Sequence, residues 1–184
     1  ISGLTVPVPI PTKDGRPFAH GLMVMPFIEG GPPADASDWR RVGETLRALH
    51  RLTANWPQRP GWKASLELLR ANHGTRIDLT AMPDEAVKRC RAAWARLAGH
   101  EMCVVHGNPN NPANILMTGD RVGLVDWDEA HVDVPLLDLV LPFNGGELEG
   151  AEGDAAAQAS AAWEAAVCWK DDYAERRLAE VRPV

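Results

Sequence analysis

The spacing of hydrophobic residues changes along this chain, from a strand-like pattern before residue 30 to a helical pattern after it. Residues 4–10 are rich in Val, Ile and Pro, and a second apolar run covers residues 21–28, with the turn dipeptide Asp14-Gly15 between them. These runs predict a strand, a hairpin turn and a second strand. Because each proline in the first run removes a donor from the ladder, that run is at best an edge strand or an extended arm.

The Gly-Gly-Pro-Pro sequence at residues 30–33 breaks the chain and marks its main internal boundary. We therefore predict two parts, residues 1–31 and residues 32–184. After the boundary, apolar residues recur at spacings of three and four, which predicts a helix with one buried face. Asp35 or Ser37 can cap its start. The predicted buried residues are Trp39, Val42, Leu46, Leu49 and Leu52.

Further helices are predicted over residues 65–72, over residues 83–98, near residues 136–141, and over an Ala-rich stretch from 154 to 178. Gly99 suits the end of the second of these helices. The apolar side of that helix consists of Val87, Cys90, Trp94 and Leu97.

Two short strands are predicted over residues 102–106 and residues 121–127, with a Gly119-Asp120 turn just before the second. The segment between them is rich in Pro and Asn, so we predict a loop there. The Gly- and Glu-rich passage 145–154 is expected to be a solvated loop.

Composition is that of an ordinary globular protein, since 45% of the residues are hydrophobic and 24% are charged. The formal net charge of −6 argues against a nucleic-acid partner, which would need a basic stripe, and fits a cationic or neutral ligand better. Three widely spaced cysteines indicate neither a disulfide framework nor a zinc site. We expect no membrane span and no signal peptide, and hence a cytoplasmic location. The start at Ile1, inside a β-rich passage, leads us to expect a fragment of a longer polypeptide.

The stretch with the most chemical meaning contains His106-Gly107-Asn108, then Asn114, then Asp126 at the end of an apolar run. Phosphoryl transfer from a nucleotide needs a carboxylate that faces the attacking hydroxyl, and an amide and a second carboxylate that hold Mg²⁺ against the phosphates. A strand, a polar loop, an Asn and a strand-end Asp are the protein-kinase arrangement of these groups. Each residue taken alone could instead be a cap or a turn residue, so the interpretation depends on the combination.

This stretch resembles the aminoglycoside phosphotransferase family, whose pattern is His-Gly-Asp, an Asn a few residues later, and an Asp before an aromatic residue. The resemblance covers about residues 21–141. It implies an α+β fold, namely a protein-kinase-like carboxyl-terminal lobe, mainly helical with short β-hairpins, plus a remnant of the amino-terminal sheet and the hinge. It also implies that His106 braces the catalytic loop, that Asn114 and Asp126 coordinate Mg²⁺, and that Asp138 supports the loop through hydrogen bonds.

Residues 23–30 resemble the hinge between the two kinase lobes, with Met25 as the apolar gatekeeper. The resemblance implies that the Pro26 carbonyl and the Ile28 amide face the base of ATP or GTP. It implies two further nucleotide contacts, Leu116 and Val125. An inner strand that runs into a turn would explain the hinge residues equally well.

The chain departs from the family pattern at two places. Asn108 stands where the family has its catalytic Asp, and an amide cannot accept a proton from the attacking hydroxyl. The strands that carry the phosphate-covering loop and the phosphate-binding Lys would precede Ile1, and Lys13 beside a turn is a poor substitute. We therefore expect weak ATP binding and strongly reduced catalysis.

The leading hypothesis is an ATP- or GTP-dependent phosphotransferase that acts on a hydroxyl of a small molecule, with an aminoglycoside-like antibiotic as one candidate. The acidic residues between 147 and 154 could attract a cationic substrate, or they could simply be solvated. A second hypothesis is a catalytically silent pseudokinase that binds nucleotide or a partner protein without turnover. A third is a metal-dependent hydrolase that uses Asp126, Asp128 and His131. The sequence indicates no particular oligomeric state.

Overall fold

The computed structural model describes residues 3–74 and 76–184, so Ile1, where the first predicted part begins, lies outside the described residues. The described residues form four α-helices, which are α1 (Ala36–Leu52), α2 (Asp84–Ala95), α3 (Gly150–Val167) and α4 (Asp172–Glu180). They also form seven short strands, which are β1 (Leu4–Thr5), β2 (His73–Gly74), β3 (Ile77–Asp78), β4 (Cys103–Val105), β5 (Ile115–Thr118), β6 (Arg121–Leu124) and β7 (His131–Asp133). This confirms the predicted α+β class, with helices dominant.

Helix α1 forms as its apolar spacing predicts. The side chain of Asp35 caps its start by accepting a 3.0 Å hydrogen bond from the backbone N–H of Asp38. The predicted core residues Trp39, Val42, Leu46 and Leu49 are buried. Leu52 is 63% exposed, so its predicted burial is wrong. Leu52 is the last residue of the helix, where the chain turns away and leaves this side chain without neighbours to cover it.

The strands form three small sheets, and the one beneath α1 positions the site. In this sheet β6 lies between β5, its antiparallel partner, and β1, its parallel partner. The other two sheets are the antiparallel pairs β4–β7 and β2–β3. Strand β5 lies within the predicted loop, because the polar residues before it are typical of a loop. Its residues pair with β6 across the Gly119-Asp120 turn, and Ile115 and Leu124 are fully buried opposite each other.

The predicted hairpin of residues 4–10 and 21–28 forms only in part. The turn is confirmed, since the N–H of Gly15 donates to the Thr12 carbonyl at 2.9 Å. The two flanks are joined by the hydrogen bond from the N–H of Ile10 to the Val24 carbonyl, at 2.8 Å. Only Leu4 and Thr5 of the first run form a strand, β1, and it pairs with β6 instead of with the second run. The prolines of these runs lack the N–H groups that a continuous ladder needs, which explains why the two runs do not pair as strands.

Two helix predictions need correction. The predicted helix over 154–178 is in fact α3 and α4, because the chain reverses at a turn in which the N–H of Asp171 donates to the Cys168 carbonyl at 2.8 Å. Helix α4 then packs back on α3, and Gln158 Nε2 donates to the Glu180 carbonyl. The predicted helix over 65–72 is reduced to a single 3₁₀ turn, Glu67–Leu69. Near residue 136 the chain likewise forms a 3₁₀ turn, Pro135–Asp138.

The passage 145–154 is not the solvated loop that its composition predicts. Gly145 and Gly146 are buried, and α3 already begins at Gly150. A methyl group on Gly43 of α1 would collide with the carbonyl oxygen of Gly145. Glycine is therefore required where α1 crosses this segment at backbone contact distance.

Replacing Gly43 by Ala should destabilise the fold by about 1–3 kcal/mol, although Ala is normally favoured over Gly inside a helix. The added methyl group has only rigid backbone to displace. Urea unfolding followed by circular dichroism measures the effect, with Glu44→Ala, an exposed neighbour on the same helix, as the control. A Gly43→Ala variant as stable as the parent would show that α1 and residues 145–146 do not touch as described.

Candidate active site

A buried carboxylate fixes the loop that follows β4. Asp138 accepts hydrogen bonds from the backbone N–H groups of His106, at 2.7 Å, and Gly107, at 3.0 Å. The ring of His50, near the end of α1, approaches the same carboxylate at 2.9 Å through Nε2. The structure thus brings Asp138 and His106 together where sequence analysis expects the loop support. It also explains the position of His50, which joins α1 to this loop.

The ionisation of Asp138 is coupled to folding. Burial alone would raise its pKa, but the hydrogen bond and charge of His50 and the N–H of Gly107 together hold the pKa below its ordinary value of 3.8. A carboxyl group with a depressed pKa in the folded state stabilises the fold above pH 3.8. That contribution is lost as the pH falls through the folded-state value.

Replacing Asp138 by Ala should lower the free energy of unfolding at pH 7 by about 3–5 kcal/mol, because two backbone N–H groups and His50 lose a buried charged partner. The difference from the parent should shrink as the pH falls below 3.8, since the parent then loses the same carboxylate. Urea titrations at pH 7 and pH 3 measure both effects. A difference that stays constant across this range would contradict the assigned role.

His106 is held in one tautomer by its partners. Its Nε2 lies 2.8 Å from the carbonyl oxygen of Val125, so Nε2 carries the proton, while Nδ1 accepts from the N–H of Asn108 at 3.4 Å. The ring is fully buried and packs against Trp127, with ring centroids 4.7 Å apart. Both nitrogens are engaged with the backbone, which suits a bracing residue better than a proton carrier.

Asn114 and Asp126 lie on adjacent chain segments at the open end of the β5–β6 hairpin. The N–H of Val125 donates to the Asn114 carbonyl at 3.0 Å, so Asp126 directly follows the residue paired with Asn114. Asn114 is buried, and its Nδ2 donates to the carbonyl of Asn108 at 2.9 Å. This hydrogen bond leaves the Oδ1 atom as the ligand atom of the amide. The structure therefore brings together Asn108, Asn114 and Asp126.

Asp126 adopts a strained backbone conformation beside a second carboxylate. Its φ of +63° is in the left-handed region, which Asp tolerates better than most residues. Burial, and then the charge and hydrogen bonding of Asp128, raise the pKa of Asp126. Two carboxylates and one amide oxygen form the hard oxygen donor set that Mg²⁺ prefers.

The residues present fit a magnesium ion, although they do not form a closed cage. Among residues 3–74 and 76–184, no cluster of three or more His, Cys, Asp or Glu side chains could hold a metal by itself. Mg²⁺ is usually bound through one or two carboxylates, with the remaining positions filled by substrate phosphates and water. An Asn amide and one or two Asp carboxylates agree with that mode of binding.

The residues of the predicted hinge line two different cavities. Pro26, Ile28 and Leu116 line one cavity of about 260 Å³. Met25 instead lines a larger cavity of about 810 Å³, which also includes Asp126. Val125 lines neither of these cavities among the described residues, and its backbone binds Asn114 and His106.

The segment after the hinge is fixed to β5. Gly31 and Met117 exchange two backbone hydrogen bonds, at 2.7 and 3.2 Å, and the hydroxyl of Thr118 donates to the Glu29 carbonyl. A Cβ atom at Gly30 would approach Thr118 Oγ1 to 2.7 Å. Glycine at position 30 is thus needed for the hinge segment to lie directly on the strand that carries Leu116.

A third cavity, of about 390 Å³, lies beside Asn108, and we call it the Asn108 cavity. Its lining residues are Asn108, Asn110, Asn111, Glu129, Glu164, Val167, Cys168 and Tyr173. Glu129, Glu164 and Tyr173 were not among the predicted site residues, since no local motif joins them. The available signal was weak: Glu164 is the one charged residue in the last two turns of an Ala-rich helix.

The residues proposed for a hydrolase do not form a joint metal site. His131 is buried between the rings of Trp62 and Trp163, with centroid distances of 5.1 and 4.5 Å. Its Nδ1 lies 2.7 Å from the Glu129 carbonyl oxygen, and its Nε2 lies 3.2 Å from Asp133 Oδ2. Both ring nitrogens are thus already engaged, away from Asp126.

The acidic passage proposed to attract cations is partly neutralised. Glu147 lies 3.5 Å from Arg47, and Asp154 pairs with Arg96 at 2.8 Å and with Arg182 at 2.6 Å. The described residues that line the Asn108 cavity include none of this passage.

Comparison with known proteins identifies the class of protein. A family model described as the phosphotransferase enzyme family matches residues 1–179, so this chain belongs to that family. This confirms the resemblance seen in the sequence and places the chain among kinase-like enzymes that phosphorylate small molecules. No curated protein matches the sequence significantly.

Solved structures confirm the kinase-like fold. The choline kinase LicA from Streptococcus pneumoniae matches with a TM-score of 0.57 and 16% identity, over 85% of this chain and 67% of that chain. A choline/ethanolamine kinase family protein from Mesorhizobium loti matches with a TM-score of 0.54 and 19% identity, over 95% of this chain and 71% of that one. The spectinomycin phosphotransferase APH(9)-Ia, in complex with ADP and spectinomycin, matches with a TM-score of 0.52 and 13% identity, over 98% of this chain and 72% of that chain. At these identities the likeness shows the fold alone.

Two further findings bear on the setting of the site. A kinase-like phosphotransferase implies a nucleotide co-substrate. Within the described part of the chain, every helix is too short or too polar to cross a lipid bilayer.

Proposed function

We propose that this chain is an ATP- or GTP-dependent, Mg²⁺-requiring phosphotransferase that acts on a hydroxyl of a small molecule, with catalysis attenuated by Asn108. One observation carries the proposal. The amide of Asn114 and the carboxylate of Asp126 project from neighbouring backbone positions, and the loop that carries Asn108 is hydrogen-bonded to both segments through Asn114 and His106.

Asn114 and Asp126 would hold Mg²⁺, with Asp128 beside them as a third source of oxygen ligands. When bound, the ion would neutralise the charge on the nucleotide phosphates. The chain itself fixes the ligands. The hydrogen bond from Asn114 Nδ2 to Asn108 orients the amide oxygen, and the left-handed backbone of Asp126 directs the carboxylate.

The nucleotide base is assigned to the cavity lined by Pro26, Ile28 and Leu116, where the Pro26 carbonyl and the Ile28 amide can act as acceptor and donor. Met25 would then separate this cavity from the one that includes Asp126. The Val125 backbone joins the segments of the two proposed metal ligands through its hydrogen bond to Asn114.

The acceptor hydroxyl would approach through the Asn108 cavity, since this cavity opens beside the position of the family's catalytic Asp. An amide at this position has the shape of the carboxylate, but it cannot accept the hydroxyl proton. Folding and metal geometry are thus compatible with slow turnover. An aminoglycoside-like antibiotic remains one candidate acceptor.

Calorimetric titration with ATP and with GTP tests this proposal, in Mg²⁺ and in an excess of chelator. We expect binding of at least one nucleotide that requires Mg²⁺. Equal binding without the metal would contradict the proposed site, and absence of binding in both conditions would contradict the proposed function.

A catalytically silent nucleotide-binding protein is the second candidate, and Asn108 itself favours it. The two candidates share the same nucleotide and metal site, so nucleotide binding does not separate them. They differ in turnover once the carboxylate is restored.

A further inference from the structure

Arg76 lies between the proposed metal site and the Asn108 cavity. Its Nη2 is 3.1 Å from a carboxylate oxygen of Asp128, which lines the cavity that includes Asp126. Its Nη1 is 3.1 Å from a carboxylate oxygen of Glu129, which lines the Asn108 cavity. One guanidinium group therefore links the two cavities. A phosphoryl group that moves from the nucleotide to the acceptor would have to pass between them.

The backbone beside Arg76 is fixed, while its side chain is held only by ion pairs. The next residue, Ile77, begins β3 and is buried in the hydrophobic core. The side chain of Arg76 is 49% exposed, and its contacts to Asp128 and Glu129 are with side chains. Exposed ion pairs are worth about 0–1 kcal/mol, so little free energy opposes a small shift of the guanidinium toward a ligand.

Arg76 also has hydrogen-bond donors to spare. A guanidinium carries five N–H donors, and the contacts to Asp128 and Glu129 use at most one on each Nη atom. The donors lie in one plane as a rigid fork, which matches the oxygens of a phosphate group. Arg76 can therefore bind phosphate oxygens with little movement.

The second arginine at this segment, Arg59, supports the backbone instead. Its Nη1 donates to the carbonyls of Asp128 and Ala130, at 2.9 and 3.1 Å. Its guanidinium also lies over the ring of Trp62, 4.9 Å from the centroid. Since Arg59 already holds the backbone here, Arg76 is not needed to fix the course of the chain.

The charges at this place call for a cation. Asp126, Asp128 and Glu129 bring three carboxylates to the region where a negatively charged phosphoryl group would be transferred. Two of these charges would be balanced by Mg²⁺, and the third is balanced by Arg76. Without Arg76 the phosphoryl group would meet a site with net negative charge, which repels it.

We propose that Arg76 contacts the transferred phosphoryl group and is a catalytic residue. This rests on the proposed function. In the transfer the acceptor oxygen bonds to the γ-phosphorus, the bond from that phosphorus to the bridging oxygen breaks, and its electron pair leaves with the nucleoside diphosphate. The acceptor proton passes to water in the parent chain, since Asn108 cannot accept it. Arg76 donates hydrogen bonds to the γ-phosphate oxygens, which carry the negative charge during transfer.

Mg²⁺-dependent release of nucleoside diphosphate, with water as the acceptor, tests this role in the Asn108→Asp chain with and without Arg76→Gln. We expect Arg76→Gln to lower kcat by about 10²–10³-fold, the usual cost of removing one donor to transition-state charge. The affinity for Mg·ATP or Mg·GTP, measured by calorimetry, should fall by no more than about fivefold, the value of one exposed ion pair. A fall in affinity as large as the fall in kcat would indicate a role in binding or structure alone.

Two further variants control for charge and shape. Arg76→Lys keeps the positive charge but loses the planar fork, so it should recover part of the lost kcat. Arg70→Gln removes the same charge at an exposed position that lines a different cavity, and it should keep the kcat of its background. A loss of equal size in Arg70→Gln, or no recovery in Arg76→Lys, would count against a contact between Arg76 and the phosphoryl group.

The two proposals fail in different ways. Nucleotide binding without any diphosphate release from the Asn108→Asp chain would contradict the proposed enzyme, and the role of Arg76 with it. Release that is as fast in Arg76→Gln as in its background would overturn the role of Arg76 and leave the proposed function standing.

Discussion

Replacing Asn108 by Asp should raise the rate of phosphoryl transfer by about 10²–10⁴-fold, the usual contribution of a general base. The loop is already in place for the new carboxylate, since Asp138 and His106 fix its backbone and Asn114 binds the carbonyl of residue 108. Asp has nearly the same size and shape as Asn, so the fold should not change. Mg²⁺-dependent ADP release in the presence of an acceptor that binds the Asn108 cavity measures the effect.

Asn111→Asp is the matched control for Asn108→Asp. Asn111 lines the same cavity, and its side chain caps the next turn by accepting from the N–H of Ala113 at 3.1 Å, a role that Asp fills equally well. The control adds the same charge without placing it at the catalytic position. Equal acceleration in both variants would indicate a general effect of charge. Nucleotide binding without turnover in Asn108→Asp would favour the silent protein over the enzyme.

Replacing Asp126 by Asn should weaken Mg²⁺-dependent nucleotide binding by more than about 100-fold. Loss of an outer-shell partner alone costs a metal site about 10–100-fold, and a direct ligand should cost at least as much. Asn is the appropriate substitution because it also tolerates the φ of +63° at this position, whereas Ala would add backbone strain. Calorimetric titration of ATP with saturating Mg²⁺ measures the loss.

Asp120→Asn is the control for Asp126→Asn. Asp120 lies in the exposed turn of the β5–β6 hairpin, so the same change of charge is made at the opposite end of the same element. Its nucleotide affinity should match that of the parent. If both variants bind Mg·ATP as tightly as the parent, Asp126 is not a ligand of the metal.

Elements with strong local signals could be predicted from the sequence. The spacing of Trp39, Val42, Leu46 and Leu49 predicts α1, because a helix with one buried face has apolar residues at spacings of three and four. The start of the loop at His106 could also be predicted, because the apolar run of β4 ends there. Asp138 was connected to this loop through the family resemblance and not through any local pattern.

Elements that depend on tertiary contacts could not be predicted. Strand β5 forms because it pairs with β6. Its short apolar run directly follows polar residues that predict a loop, so the sequence alone does not indicate a strand there. The break between α3 and α4 follows from packing of α4 on α3, while the Ala-rich sequence alone favours a continuous helix. Burial of Gly145 and Gly146 arises from backbone contact with α1 and with Leu139, which leaves no hydrophobic pattern.

The residues that line the Asn108 cavity could not be predicted for the same reason, because tertiary contacts bring them together. Glu129, Glu164 and Tyr173 come from three separate segments, and each is paired with a group distant in sequence or hydrogen-bonded across a turn. The charge of the cavity is therefore a property of the assembled structure. The acidic passage 147–154, which is obvious in the sequence, is partly neutralised by the ion pairs of Glu147 and Asp154 with Arg47, Arg96 and Arg182.

The most direct test of a shared metal site is a crystal structure of the full chain grown with Mn²⁺ and a non-hydrolysable ATP analogue, with anomalous diffraction collected to locate the metal. We expect an anomalous peak about 2.1 Å from both Asn114 Oδ1 and a carboxylate oxygen of Asp126. Bound nucleotide with the metal elsewhere, or with no peak between these two residues, would contradict a metal site shared by Asn114 and Asp126.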